Sequence, residues 1–470
     1  MQNKIRKIHF IGIGGSGMSG IAEVLLNQGF SIQGTDIEES IATKRLINQG
    51  AKIFTSHHAD NVIGADVCVV SSAIKIDNPE IVNAKKLKIP IVPRASMLGE
   101  LMRFKQGIAV AGSHGKTTTT SMISSVLASA GLDPTYVLGG RLMGAETGAR
   151  FGKGEYLVVE ADESDGSFLD LMPVLGVVTN IDNDHLAFYD NNIEKLRSAF
   201  ISFVQKLPFY GTVFSSSGDE TIRALASEFG RKTILVGEEE ESDIQVINIK
   251  SDVLRTKFSV RQKNYNDLEI ILPMPGKHNV INSLFAVAVA RELGVVDENI
   301  KKGLLKYKGV ERRFQYHGVF STSCGKEFRL IDDYGHHPTE IKVTLEACKE
   351  AFPHQKILLV FQPHRYSRTR DLFEEFIKVL SEVNSLILLS VYAAGENEIV
   401  GTDSKTLARS IRLLKKVNPF VVSNEIEAMD IIFSILDSGD ILLLMGAGSV
   451  SRLTNLIKNE LERGGYEQRT

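Results

Sequence analysis

The chain is poor in cysteine. Cys68, Cys324 and Cys348 are widely spaced and odd in number among 470 residues. That spacing excludes a disulfide framework, offers no zinc-ligand pattern and points to a reducing compartment. Long basic runs are also missing, and the formal net charge is −3. Nucleic acid is therefore not expected as the main partner. No apolar run reaches the roughly 18 residues of a membrane-spanning helix. The opening MQNKIRKIHFIGIGG passes straight into an expected strand and glycine loop. It lacks the apolar region and small-residue cleavage site of a secretory signal. These absences predict a soluble, cytoplasmic protein without a membrane partner, and a monomer or weak homodimer is expected.

What is present is a repeated alternation. KIHFIGI, DVCVVSSA, GIAVAG, YLVVEAD, VLGVVTNI, KILLVFQ, SLILLSVY and DILLLMGAG are continuous apolar runs bounded by glycine or polar turns. Such runs suit parallel strands buried on both faces. Helical patterns such as SGIAEVLLNQG and HNVINSLFAVAVARELG lie between them. The βαβ order predicts an α/β fold with ligands at the carboxyl ends of strands. The length calls for two to four domains. The segments IPIVPRASMLGELMRFKQG and YKGVERRFQYHG read as junctions, which places the domains at 1–106, 107–312 and 313–470.

Two glycine loops carry the chemistry. The first, Gly12-Ile13-Gly14-Gly15-Ser16-Gly17, satisfies GxGxxG between a strand and a helix, and Asp36 ends the following strand. The pattern suits a pyrophosphate at a helix N-terminus with Asp36 on a ribose hydroxyl. By itself it fits an NAD-dependent oxidoreductase as well as a UDP-sugar site. The second loop is Gly112-Ser113-His114-Gly115-Lys116-Thr117-Thr118. A full Walker loop needs glycine where Val110 stands, so the match is to the shorter GxxGK[ST] form. Backbone N–H groups there can cradle phosphate, Lys116 can neutralise it and Thr117 can offer its hydroxyl to Mg²⁺.

Downstream, YLVVEADESDGSF ends a strand with Glu160, Asp162, Glu163 and Asp165, and VVTNIDNDHL ends another with Asp182, Asp184 and His185. Carboxylates beside a phosphate loop suit a hard cation. A dehydrogenase has no need to cleave ATP, whereas a ligase acting on a nucleotide conjugate needs two phosphate sites. His278, Asn279 and Asn282 begin a helix in PGKHNVINS, where amides can read an adenine edge or cap the helix. Arg312 and Arg313 stand at the second junction. DDYGHHP and FQPHRYSRTRD gather Asp332, Asp333, Tyr334, His336, His337, His364, Arg365, Arg368 and Arg370, a cluster suited to an amino-acid carboxylate.

With these motifs in place the whole chain resembles the Mur ligases, the ATP-dependent amide-forming enzymes of peptidoglycan precursor synthesis. GIGGSGMSG, VVSSAI, PRASMLGELMR, GSHGKTTTT, EADESDGSF, TNIDNDHL, PGKHNVINS, GVERRF, DDYGHHPTEI, FQPHRYSRTRDL and GAGSV carry the resemblance. It implies a Rossmann-like N-terminal domain for a UDP-sugar, a central P-loop domain for ATP, and a Rossmann-like C-terminal domain serving the amino acid. The substrates implied are UDP-N-acetylmuramate, L-alanine and ATP, with Mg²⁺ or Mn²⁺ as cofactor. A ligase that attaches a preformed murein tripeptide is the alternative.

The resemblance also implies roles. Gly12, Gly14, Gly15, Ser16, Gly17, Asp36, Ser71 and Ser72 would bind the UDP-sugar. Gly112 to Thr118, Asn279 and Asp333 would bind ATP. Lys116, Glu160, His185 and Arg313 would be catalytic, with Thr117, Glu160 and His185 at the metal. Tyr334, His336 and Arg368 would hold L-alanine. Sibling ligases carry a modified lysine where LRSAFISF has Phe200, so no such lysine is expected here.

Overall fold

A computed structural model of the chain describes residues 5–71, 73–144, 148–184 and 186–462, apart from the side chains of residues 16 and 187. Ser72 and His185, both expected at sites, lie outside the described residues. Three sheets form, each with helices between its strands.

The first sheet contains β1 (Lys7–Ile11), β2 (Ser31–Thr35), β3 (Lys52–Phe54), β4 (Val67–Val70) and β5 (Ile91–Pro93). Its order is β3-β2-β1-β4-β5, parallel throughout. The order reverses between β1 and β4, so the glycine loop after β1 and Ser71 after β4 share the crevice where ligands bind in such sheets.

The second sheet contains β6 (Gln106–Ala111), β7 (Thr135–Val137), β8 (Ala149–Arg150), β9 (Tyr156–Glu160), β10 (Leu175–Val178), β11 (Thr212–Ser216), β12 (Lys232–Gly237), β13 (Ile244–Asp252), β14 (Arg255–Gln262) and β15 (Leu268–Leu272). The order is β15-β14-β13-β12-β11-β10-β6-β9-β7-β8. β6 pairs in parallel with β9 on one side and β10 on the other. The phosphate-type loop after β6 is therefore flanked by the two acidic strand ends.

The third sheet contains β16 (Gln315–Ser321), β17 (Glu327–Asp333), β18 (Ile357–Phe361), β19 (Ser385–Leu389), β20 (Phe420–Val422) and β21 (Ile441–Met445). It runs β16-β17-β21-β18-β19-β20, with only the β16–β17 pair antiparallel. Its apolar runs split between two cores. Ile357, Leu359 and Phe361 enter one, with Ile441, Leu443 and Met445. Leu358 and Val360 enter the other, with Leu442 and Leu444. Alternate side chains point to opposite faces, so a strand covered on both sides must be apolar at every position.

The chain divides into two compact units. One comprises 1–250, 256–273 and 278–310, and so holds the first two sheets; the other comprises 251–255, 274–277 and 311–470. The expected boundary at 106 falls on the first residue of β6, and the one at 312 lies close to the break after Val310. The α/β class with parallel sheets is as the sequence predicts.

Candidate active site

The phosphate-type loop leaves β6 and enters the helix Lys116–Ser129 through Gly115. Gly115 has φ 82°, and a Cβ there would stand 2.6 Å from Asn282 Oδ1, so both conformation and space require glycine. Asn282 also accepts from Thr119 Oγ1 at 3.2 Å. It thus braces the phosphate helix, while Asn279 is buried one turn earlier in the helix Lys277–Glu292. Thr118 is buried in the first turn of the phosphate helix.

Hydrogen bonds from the β10 end fix the loop. Ser113 N–H donates to Asn180 O at 3.0 Å and His114 N–H to Asn180 Oδ1 at 2.8 Å. Thr179 Oγ1 donates to His114 O at 2.6 Å, and Asp182 N–H donates to Ser113 Oγ at 2.9 Å. His114 Nε2 lies 3.1 Å from Asp182 Oδ2. The histidine side chain is therefore tied back to the neighbouring strand end.

Lys116 Nζ donates to Gly112 O at 2.6 Å and meets Glu163 Oε2 at 2.8 Å. Burial opposes its charge, but the carboxylates of Glu163, Asp162 and Glu160 outweigh that and raise its pKa above the ordinary lysine value. Thr117 Oγ1 lies 3.0 and 2.9 Å from the two Glu160 oxygens, and Glu160 also accepts from Gly139 N–H at 2.8 Å. Of the expected catalytic set, Lys116 and Glu160 thus converge on one loop. Phe200 is fully buried, its ring centroid 5.3 Å from that of Phe168, so this position offers core packing and no metal ligand.

At the other glycine loop, Gly12 and Ile13 N–H both donate to Thr35 O, at 2.8 and 3.0 Å. Gly14 N–H donates to Asp36 Oδ2 at 2.7 Å, and Glu38 N–H reaches Asp36 Oδ1 at 3.2 Å. Asp36 thus ties down the loop itself. The helix Ser16–Asn27 starts after Gly15. A Cβ at Gly17 would stand 2.8 Å from Arg94 Nη1, so the absent side chain makes room for a guanidinium at this helix start.

A cleft of about 300 Å³ runs from the first glycine loop to the end of β9 within this unit. Gly15, Gly17, Ser71 and Arg94 line one part, and Gly139, Glu160 and Asp162 another. A second cavity of about 490 Å³ shares Ser71 and Arg94 and is walled by Val70, Ile74, Ile81 and Ile91. Arg94 was missed from sequence, where PRASML reads as a junction. Its signal, an arginine opening a helix directly after a strand, emerges only once β4 and β5 are placed side by side.

In the other unit the ends of β17 and β18 gather the third cluster. Arg312 Nε lies 3.2 Å from Asp332 Oδ1, and Arg313 Nη1 3.4 Å from Glu340 Oε1. Both guanidinium carbons stand 5.2 Å from the centroid of Tyr334. Tyr334 meets His336 edge-on at 5.4 Å, and His336 lies 5.6 Å from His364, which stacks on Tyr392 at 5.4 Å. Arg368 Nη1 is 3.4 Å from His364 Nδ1. The residues expected to hold an amino acid therefore do come together. Burial, with Arg368 and Arg365 adding to it, lowers His364 to a pKa of about 4.

Asp333 is held by backbone groups. Its oxygens accept from Phe314 N–H at 2.7 Å and Gly335 N–H at 2.6 Å. Burial raises its pKa to about 6 against the pull of Arg313 and these N–H groups. It braces the backbone on either side of the cluster.

Residues 7–106 match the family profile described as Mur ligase family, catalytic domain; 110–290 the Mur ligase middle domain; and 312–448 the Mur ligase, glutamate ligase domain. The chain is 49% identical over 457 residues to a UDP-N-acetylmuramate–L-alanine ligase of Neisseria meningitidis, covering 96% of this chain and 97% of the relative. It is 48% identical to the ligase so named from Methylobacillus flagellatus, covering 98% of each. The crystal structure of a UDP-N-acetylmuramate–alanine ligase of Thermotoga maritima superposes with TM-score 0.79 at 30% identity, covering 96% of this chain and 99% of that one. A murein peptide ligase of Psychrobacter arcticus shares the fold at TM-score 0.70 and 21% identity, covering 98% and 99%.

Proposed function

The chain belongs to the Mur ligase family, and from this premise we propose that it joins L-alanine to the lactyl carboxylate of UDP-N-acetylmuramate as ATP is cleaved to ADP and phosphate. The cleft running from the first glycine loop to Glu160 is the observation that carries this reading. It lets one extended substrate keep its diphosphate on one loop and its carboxylate near the other.

The diphosphate binds the N–H groups at the start of the helix Ser16–Asn27, with Arg94 offsetting its charge. The lactyl carboxylate lies toward Glu160. Thr117 Oγ1 and the Glu160 oxygens form a hard donor set that fits Mg²⁺ or Mn²⁺. A cation held there would offset the charge of the ATP phosphates. A carboxylate oxygen attacks the γ-phosphorus, a C–O–P linkage forms, and the β–γ P–O bond breaks to release ADP. Lys116, already charged and fixed over the loop, offsets the charge that builds on the transferring group. The resemblance assigns Arg313 a role toward phosphate as well.

The amine of L-alanine then attacks the acyl carbon. Phosphate leaves from the tetrahedral intermediate, and the amine loses its proton. Arg368 pairs with the alanine carboxylate, while Tyr334 and His336 border the small side chain. We place the reaction in the cytoplasm; among the described residues no helix is long and apolar enough to cross a membrane.

The test is phosphate release from Mg-ATP with UDP-N-acetylmuramate and L-alanine added singly and together. Release that needs both, with a mass gain of one alanine on the UDP-sugar, supports the ligase. Release with neither substrate would sink it, as would a response only to a preformed tripeptide.

A further inference from the structure

A buried polar cluster stands behind the first glycine loop. Glu80, in the first turn of the helix Pro79–Lys86, has no solvent exposure. Four side chains from separate segments face it. Thr35 Oγ1 donates to Glu80 Oε1, and Asn61 Nδ2 donates to the same oxygen at 2.8 Å. His9 Nε2 stands 3.4 Å from that oxygen, and His57 Nδ1 lies 2.6 Å from Oε2. A carboxylate so far from water is costly unless it is multiply hydrogen-bonded, and this many partners on one group make a fixed node.

Thr35 links the node to the loop. Its backbone carbonyl takes the N–H groups of both Gly12 and Ile13, and the next residue, Asp36, takes that of Gly14. Three consecutive N–H groups of the loop are thereby set by the end of β2. The side chain of Thr35 is in turn held by Glu80. Asn61 adds a second tie, since its Nδ2 also reaches Thr35 Oγ1 at 3.3 Å. A pyrophosphate loop works by the directions of its N–H groups, and an error near 1 Å in such a cradle is costly.

We propose that Glu80 is a positioning residue for UDP-sugar binding: through Thr35 it fixes the turn of the glycine loop that receives the diphosphate. The inference rests on the ligase reading for the identity of the ligand. Glu80 does not touch the substrate. It acts on the ground-state binding of one substrate and leaves the ATP and amino-acid sites unaffected.

Thr35→Val removes the hydroxyl while keeping the shape, Glu80→Ala removes the node, and Glu80→Gln keeps an acceptor for Thr35 and Asn61. Steady-state kinetics on the full chain should show KM for UDP-N-acetylmuramate rising about tenfold in Thr35→Val and Glu80→Ala. KM for ATP and L-alanine should stay within about twofold, and Glu80→Gln should recover most of the loss. Direct titration with UDP should weaken in parallel. An unchanged KM for the UDP-sugar in folded Thr35→Val and Glu80→Ala proteins overturns the proposal. A parallel loss across all three substrates does so too, because it marks a purely structural role. If the unaltered protein shows no response to the UDP-sugar, the ligase reading fails, and that result is separate from any difference among the variants.

Discussion

Glu163 holds Lys116: the ammonium lies 2.8 Å from the nearer carboxylate oxygen, on a glutamate side chain that is only 1% exposed. The same ammonium bonds to Gly112 O across the mouth of the loop. The lysine thus stands over the phosphate cradle with its long side chain already ordered. Lys116→Ala should lower kcat by ~10²-fold or more, because a fixed charge in a partly dry site is worth far more than one in water. The check is phosphate release from a variant whose circular dichroism matches the parent. Near-normal turnover in that variant would remove the loop from the mechanism.

Phe200 separates core from chemistry. It is fully buried beside Phe168, which also stacks on Phe203 at 5.2 Å. Phe200→Ala should destabilise the protein by about 3–5 kcal/mol, the usual range for emptying a buried aromatic site. The Mg²⁺ concentration that gives half-maximal activity should stay unchanged below the melting temperature. A shifted Mg²⁺ midpoint would return this position to the metal site.

Much of this was legible in the chain because it rests on local patterns. Runs such as ILLVF and ILLLM are apolar at every position because both faces of their strands are covered, and the sequence shows that directly. Lys116, Thr117 and Glu160 follow from loop and strand-end motifs. Tyr334, His336 and Arg368 follow from a polar density unusual at strand ends. For Asp36 and Asp333 the backbone bonds are not legible in the chain, because an acidic residue after a strand looks the same whether it faces a ligand or its own backbone. Only three-dimensional placement shows N–H groups at 2.6–2.7 Å pointing at them. The roles of Arg94 and Glu80 were invisible for a related reason: their partners lie far away in sequence, and although Arg94 stands in PRASMLGELMR nothing local marks what it faces.

Arg368 is nearly buried yet charged, at the end of a short helix that follows β18. Such a guanidinium suits a small carboxylate. Arg368→Ala should raise KM for L-alanine by an order of magnitude or more, the scale of losing a charge-assisted hydrogen bond, with KM for ATP little changed. Equal effects on the two constants would argue against a carboxylate role.

His364 sits between Tyr392 and Arg368 and should be neutral at physiological pH. Its pKa of about 4, against an ordinary 6.5, comes from burial first and then from Arg368 and Arg365. The sign follows from linkage. The fold favours the neutral ring, so its contribution to stability is full above about 6.5 and is lost as the pH falls toward 4. Proton NMR of the imidazole should show no titration between pH 8 and 5, values chosen to bracket an ordinary histidine at about 6.5. Arg368→Ala should move the midpoint upward. A midpoint near 6.5 in the unaltered protein would show that the ring is open to water.

Glu80 gives the same sign in a lower window. Burial alone would raise its pKa, but the hydrogen bonds from His9, Thr35, His57 and Asn61 overcome burial and hold it at about 2, against 4.5 for a free glutamate. The unfolded chain therefore binds more protons than the fold between those values, and stability falls as the pH drops through them. The contribution at neutral pH is on the order of 3 kcal/mol, from about 1.4 kcal/mol per pKa unit. Glu80→Gln keeps the shape but carries no charge, so it should unfold at lower denaturant than the parent at neutral pH. That gap should narrow steadily as the pH approaches 3, because the parent's carboxylate is then taking up its proton on unfolding. A gap that stays constant from pH 7 to pH 3 would mean that hydrogen-bond geometry alone, and not the buried charge, accounts for the stability of this node, since only a charge makes it pH-dependent.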